Sequence, residues 1–225
     1  MKIGSSDPGV TRSASDLGRF GMGMKTASFS LGKQLLVISK QKDEINNAEW
    51  NLEYVENEDK WEILIHSDEK IDTYIKSKTD KIEFQNWDEG TLISLSMLDK
   101  LIDENNMQKS KVKFYKTVEK VKKHLAMIFH RFIEEDNLQI YVNKNLLEAW
   151  NPFIRQNPAT MELACEELFD GKTIVSIEPY ILPHKTKFED EEAFKKAGGA
   201  KDWLAHQGFY VYRNRRLIVY GTWFG

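Results

Sequence analysis

The sequence predicts an α+β fold: a sheet made largely of hairpins and backed by helices. Three observations predict it. Short runs of strand formers, such as Leu35 to Ser39, Thr91 to Met97 and Gly208 to Tyr212, are scattered along the chain. Turn formers set several of them off, among them Glu56-Asn57-Glu58-Asp59-Lys60 and Asn214-Arg215. One long segment, 111–135, has apolar residues at three- and four-residue steps: Val112, Tyr115, Val118, Val121, Leu125, Ile128, Phe132. Composition agrees with a folded chain, since 41% hydrophobic and 30% charged residues exclude a disordered one. A formal net charge of −3 excludes a global basic footprint for nucleic acid and leaves only local patches. The single cysteine, Cys165, excludes an intramolecular disulfide and fits a reducing, cytoplasmic setting. No apolar run approaches the roughly 20 residues of a membrane span.

The elements follow in order. Residues 4–17 are small, polar and rich in turn formers, hence a loop. Met24 to Leu31 reads as a short helix closed by Gly32 at a C-cap position. Leu35 to Ser39 is a strand. Trp50, Leu52 and Tyr54 alternate with polar residues and predict a second strand, with Trp61 to His66 returning as its hairpin partner. Lys70 to Lys81 is polar and lysine-rich, so it reads as a surface excursion. Thr91 to Met97 is a strand, and 111–135 is the best helix, lysines filling its other face. Leu138 to Val142 is a strand before the Asn143-Lys144-Asn145 turn. Asn151-Pro152 and Asn157-Pro158 mark a domain boundary. Beyond it, Thr173 to Ile177, Gly208 to Tyr212 and Arg216 to Tyr220 read as strands. A helix begins in Glu189-Asp190-Glu191-Glu192 and ends in Lys195-Lys196 and Gly198-Gly199, the charge order that the helix dipole favours.

The chemistry centres on Gly18, Gly21 and Gly23, a G-x-x-G-x-G directly before a helix. Glycines admit close backbone approach to a phosphate, and a helix N-terminus offers N–H groups and a positive dipole end. A Walker A loop fails by one residue, because Met24 separates Gly23 from Lys25-Thr26. A Rossmann fingerprint fails because a polar loop, not a strand, precedes the glycines. A glycine-rich turn without a ligand remains the plain alternative.

Gly18-Arg19-Phe20-Gly21-Met22-Gly23-Met24-Lys25-Thr26-Ala27-Ser28 resembles the second glycine motif of the GHKL ATPases, the gyrase, heat-shock chaperone, histidine kinase and MutL group. It is most similar to the microrchidia-like and chaperone-like bacterial branch. Val37-Ile38-Ser39-Lys40 falls where that family has its next strand, and Glu89-Gly90-Thr91 resembles its G-T strand. Phe114 to Phe132 with Leu138 to Val142 is similar to the closing helix and strand. Gly208 to Ile218, containing Arg213-Asn214-Arg215-Arg216, resembles a strand of the following transducer domain. The resemblance implies a Bergerat-type ATP-binding α/β sandwich over 1–152, incomplete at its N-terminus, and a truncated transducer-like segment over 153–225. It implies ATP and Mg²⁺ as cofactors and a homodimeric parent. Gly18, Phe20, Gly21, Met22, Gly23, Met24 and Lys25 would line the phosphates, and Thr91 would lie near the adenine. Arg215 and Arg216 would be transducer contacts.

Several family features have no counterpart in these residues: the glutamate that activates water, the asparagine that binds Mg²⁺, and the Asp-x-Gly-x-Gly motif that reads adenine. Met1 is therefore expected to be an internal position of a longer parent, and the family's transducer lysine to fall after Trp223-Phe224-Gly225. No catalytic or metal-binding residue is assigned, and the chain alone is expected to be inactive. A non-catalytic, nucleotide-responsive interaction module is the rival reading; a histidine kinase is disfavoured by the transducer-like segment. His66, His124, His130, His184 and His206 lack metal-ligand spacing. Cys165 is expected to be a buried thiol, Trp50, Trp61 and Trp87 core residues, and Glu134-Glu135-Asp136 a solvated helix end. The lysines of the long helix are either a solvated face or a contact for a nucleic-acid backbone.

Overall fold

The computed structural model describes residues 23–79, 84–169, 171, 174–199 and 203–223. Its contacts divide the chain into two compact units, 1–116 and 117–225, so Asn151-Pro152 lies inside the second. The fold is α+β. Among the described residues, no helix is long and apolar enough to cross a membrane.

In the first unit, helix α1 (Gly23–Phe29) leads into a three-stranded antiparallel sheet. Strand β1 (Gln34–Gln41) lies between β2 (Glu44–Asn51) and β3 (Glu89–Ser96). The β1–β2 hairpin turns on two residues, and Lys42 takes the left-handed conformation there, with φ 55°. Thus Leu35 to Ser39 pairs with 46–50, and the anticipated hairpin of 50–54 with 61–66 does not form. The strand stops at Asn51, whose side chain accepts from the N–H groups of Glu53 (3.0 Å) and Tyr54 (3.2 Å). That is an N-cap, and it starts helix α2 (Leu52–Glu58) where alternation predicted strand. Residues 61–67 form no strand, and their one backbone bridge to the sheet is that of Leu64 to Glu49.

The lysine-rich stretch is also corrected. It forms helix α3 (Asp68–Thr79), with Asp68 and Glu69 in its first turn and Lys76 and Lys78 in its last. Ile71 and Ile75, one turn apart, are 2% and 1% exposed, and they pack with Leu36, Ile38 and Phe84. Of the tryptophans expected in the core, only Trp50 is buried; Trp61 lies against it at 4.5 Å yet is 61% exposed, and Trp87 is 43% exposed.

The long helix is α4 (Met107–Ile128), and a break at Phe129 separates it from α5 (His130–Glu134). Its burial is uneven: Ala126, Met127 and Ile128 are buried, while Val112, Tyr115 and Val121 are exposed. In the second unit follow the minimal hairpin β4 (Tyr141–Val142) and β5 (Asn145–Leu146), then β6 (Met161–Glu162), β7 (Glu166–Phe169), β8 (Ile174–Ile177) and β9 (Tyr180–Ile181). β6 pairs with β9 and β7 with β8. Cys165, on the segment before β7, is exposed, which overturns the expected buried thiol. Helix α6 (Glu191–Ala197) is capped by Asp190, which accepts from the Ala193 N–H at 2.7 Å, and Gly198 follows as its C-cap. β10 (Phe209–Arg213) and β11 (Arg216–Thr222) form an antiparallel pair whose turn holds Asn214 and Arg215 at φ 49° and 67°. Met127, Ile128 and Leu217 make this unit's core, ringed by Phe129, Trp150, Tyr210, Tyr212 and Tyr220.

Gly32 fixes the join between α1 and the sheet. A β-carbon there would lie 2.7 Å from the Ser96 carbonyl oxygen and 2.9 Å from that of Met97. Both obstacles are backbone, so the join must open to admit a side chain. Gly32→Ala is expected to destabilise the first unit by about 1–3 kcal/mol, as overpacking does, read as a lower urea midpoint. An unchanged midpoint would show that this approach is not a constraint.

Candidate functional site

Helix α1 is held at its C-terminal end. The Gly32 N–H donates to the Ser28 carbonyl (3.1 Å), and the Lys33 N–H donates to the Met97 carbonyl (3.1 Å). Ser28 is buried, its hydroxyl donating to the Met24 carbonyl at 2.6 Å. At the other end Gly23 is exposed, Met24 is 41% exposed and Lys25 is half-buried. Among the described residues, a β-carbon on Gly23 would meet nothing within 4 Å. Gly18, Phe20, Gly21 and Met22, with the polar loop 4–17, lie outside the described residues.

Thr91 is exposed on β3, opposite Ser39 in register. It lies five residues from Ser96, the level at which Gly32 meets the sheet, or about 17 Å along the strand. Lys25 and Thr91 thus belong to the same unit, on separate elements. The neighbouring Gly90 has a local reason to be glycine, because a β-carbon would come within 2.7 Å of the Trp87 ring.

Arg215 and Arg216 are not a solvated hairpin tip. Arg215 donates to the Arg131 carbonyl oxygen (3.3 Å), pairs with Glu135 and lies over the Phe132 ring. Arg216 lies over the ring of Phe129. A small cavity of about 180 Å³ opens nearby, where Arg131, Arg155 and Arg215 alternate with Glu134, Glu135 and Glu178. Beneath it His130, 1% exposed, bonds the Tyr212 hydroxyl at 2.8 Å and Glu134 at 3.4 Å. Burial alone would push the Glu134 carboxyl up, but hydrogen bonds from His130 and Asn151 hold it below the usual range. Glu134, exposed with Glu135 and Asp136 at the end of α5, is thus also part of a bonded network.

A second polar network was missed in the sequence. Ser96 donates to Gln34 (2.6 Å), and Gln34 donates to Glu49 (2.7 Å). The other Glu49 oxygen meets His66 Nε2 at 2.6 Å, and His66 Nδ1 meets Lys70 Nζ at 3.0 Å. These residues line a cavity of about 350 Å³ between β1, β2 and α3. If Lys70 donates to Nδ1, the imidazole is neutral and gives its Nε2 proton to Glu49. Five positions spread over 34–96 share no motif. The available signal was a polar residue at each inward position of one strand end: Gln34, Glu49, Asn51 and Ser96. Among the described residues, no three His, Cys, Asp or Glu side chains group to hold a metal.

Residues 1–88 match the family model described as histidine kinase-, DNA gyrase B-, and HSP90-like ATPase. The match supports the GHKL superfamily for this segment, which contains the glycine motif and α1 through α3, and points to an ATP-binding, ATPase-like function there. No curated protein and no solved structure matches the chain.

The Glu49 network makes a pH prediction. Burial raises the carboxyl's pKa, but bonds from Gln34, His66 and Asn51 outweigh it and hold it below the ordinary 4.5. A depressed folded-state value contributes stability above pH 4.5 that is lost as pH falls through it. Glu49→Gln should therefore melt below wild type at pH 7, with the gap narrowing below pH 4.5. A gap constant from pH 3 to 7 would remove this role.

Proposed function

We infer that the chain is the nucleotide-binding part of a GHKL-type conformational-switch ATPase. The family match over residues 1–88 carries this reading, and the open space at Gly23 is consistent with it. ATP with Mg²⁺ is the nucleotide, its phosphates approached by the backbone of Gly18, Phe20, Gly21, Met22, Gly23 and Met24, with Lys25 beside their charge. Thr91 contacts the adenine through water. Residues 1–152 constitute the Bergerat-type ATP-binding domain and 153–225 the start of a transducer-like domain, in which Arg215 and Arg216 are contact residues. The microrchidia-like or chaperone-like branch is the proposed home, and nucleotide binding drives closure or homodimerisation of the parent.

Gly23 gives a clean test. Alanine there meets no obstacle among the described residues, and as the better helix former it leaves α1 intact or slightly firmer. Titration of Mg·ATP into wild type and Gly23→Ala should show at least a tenfold loss of affinity with the melting temperature unchanged or raised. Equal affinity would overturn the phosphate-site assignment.

Catalysis is a separate matter. These 225 residues contain no counterpart of the family's water-activating glutamate, and loss of a general base costs about 10²–10⁴-fold. Phosphate release by the purified chain should therefore stay at background, whereas magnesium-dependent turnover well above it would overturn this. A non-catalytic, nucleotide-responsive module is the second reading, favoured by the same missing residues.

A further inference from the structure

Strands β6 and β9 are continued by β7 and β8 as one antiparallel ribbon within the second unit. Its base is held: Tyr180 stacks on Phe153 at 4.4 Å, and Arg155 bonds Glu162 at 2.7 Å. Its β7–β8 end is not. Leu168 and Val175, opposite each other on one face, are 55% and 54% exposed. Phe169 and Ile174, on the other face, are 71% and 62% exposed. A two-stranded hairpin with neither face covered is marginal in water and gains from further strands.

The two outer edges of this end differ in chemistry. β7 begins with Glu166 and Glu167, whereas β8, Ile174-Val175-Ser176-Ile177, has no charge, proline or glycine. Among the described residues β8 pairs only with β7, so its other edge presents open backbone N–H and C=O groups. Edge strands are ordinarily blunted by charge, proline or a bulge. β7 has that protection and β8 has none. Two β7 strands brought together would crowd four glutamates, but two β8 strands meet without like charges.

We propose that β8 is a self-pairing edge, joined antiparallel to β8 of a second copy of this chain across a two-fold axis at Val175. Such an axis passes through one residue, and the central residues of β8 are Val175 and Ser176. Centring on Val175 continues one apolar row over four strands, Leu168 and Val175 followed by the second copy's Val175 and Leu168. Centring on Ser176 would instead bring Glu178 opposite Ile174. The glutamates of β7 then line both outer edges of the four-stranded sheet and stop further addition, so the assembly closes as a dimer. This surface belongs to the second unit, and its test contains no nucleotide, so it and the proposed ATP site can fail separately.

Strands this short bury less than the roughly 800 Å² per partner of a standard interface, so half-association is expected on the order of 10–100 µM. Sedimentation velocity of the full chain should show monomer below about 1 µM and dimer above about 500 µM. Val175→Lys and Val175→Glu set like charges opposite each other and should each stay monomeric, while their equimolar mixture should regain the dimer. Cys165 is exposed, so cross-linking uses a Cys165→Ser background. There Val175→Cys should give an oxidised dimer, because directly opposite residues lie about 4.5–5.5 Å apart. Ile174→Cys, about 7–8 Å from its own copy, should not. Wild-type monomer at every concentration would leave the edge to a different protein and overturn the proposal, as would a Lys/Glu mixture that stays monomeric. Cross-linking through Glu167→Cys rather than Val175→Cys would place the contact on β7 and overturn it as well.

Discussion

Strand β1 is the constraint on which the first unit depends, because among the described strands it alone is hydrogen-bonded along both edges. Its register sets what each neighbour can do. Leu36 and Ile38 point to one face, and with them, across the ladder, come Glu49 and Asn47 on β2 and Ser94 and Leu92 on β3. Helix α3 covers that face through Ile71 and Ile75. A one-residue slip would invert the alternation, exposing Leu36 and Ile38 and turning Glu49 away from His66. The same register places Thr91 on the other face and brings Ser96 to the level of Gly32, where α1 joins the sheet. The apolar core and the proposed ligand contacts are thus two faces of one pairing scheme.

The second unit is organised differently. Few of its strands exceed five residues, and its small aliphatic core is ringed by aromatic side chains. Aromatic rings with polar tips need partners when buried. Tyr212 finds His130, and Tyr210 donates to the His206 carbonyl at 2.8 Å. Burial holds both phenols protonated, pushing Tyr210 up to about 12 and Tyr212 higher still. Arginines lie on the rings at the margin, with Arg131 3.9 Å from the Tyr212 ring centroid. Such stacking lets a guanidinium keep its charge while covering apolar surface, so this margin is densely charged over an aromatic floor.

Much of this was legible in the sequence where local rules and tertiary packing agree. Leu35 to Ser39 and Thr91 to Met97 are strands, and α6 has its Asp190 cap, its charge order and its Gly198 stop. The failures are instances of one rule overriding another. Alternation at Trp50, Leu52 and Tyr54 predicted strand, but the side chain of Asn51 intercepts two N–H groups and starts a helix. Lysines in 70–81 suggested a surface excursion, but two isoleucines four apart dock a helix there. Trp61 and Trp87 were read as core by residue type, although a large ring can lie half on the surface against Trp50 or Gly90. The Glu49 network was invisible because its members meet only once the register is known.

The glycines separate what folding needs from what it does not. Apart from Gly23, every described glycine has a local reason, either a neighbour that a β-carbon would strike or a positive φ. Gly23 has neither among the described residues, and as the first residue of a helix it forgoes the propensity that alanine would supply. Close approach of a phosphate to the backbone, the role proposed for Gly23, is compatible with that open space. Gly32, just after the helix's C-terminal end, is the opposite case, fixed by the carbonyls of Ser96 and Met97. Helix α1 therefore runs between one glycine that the sheet demands and one that no neighbour among the described residues demands.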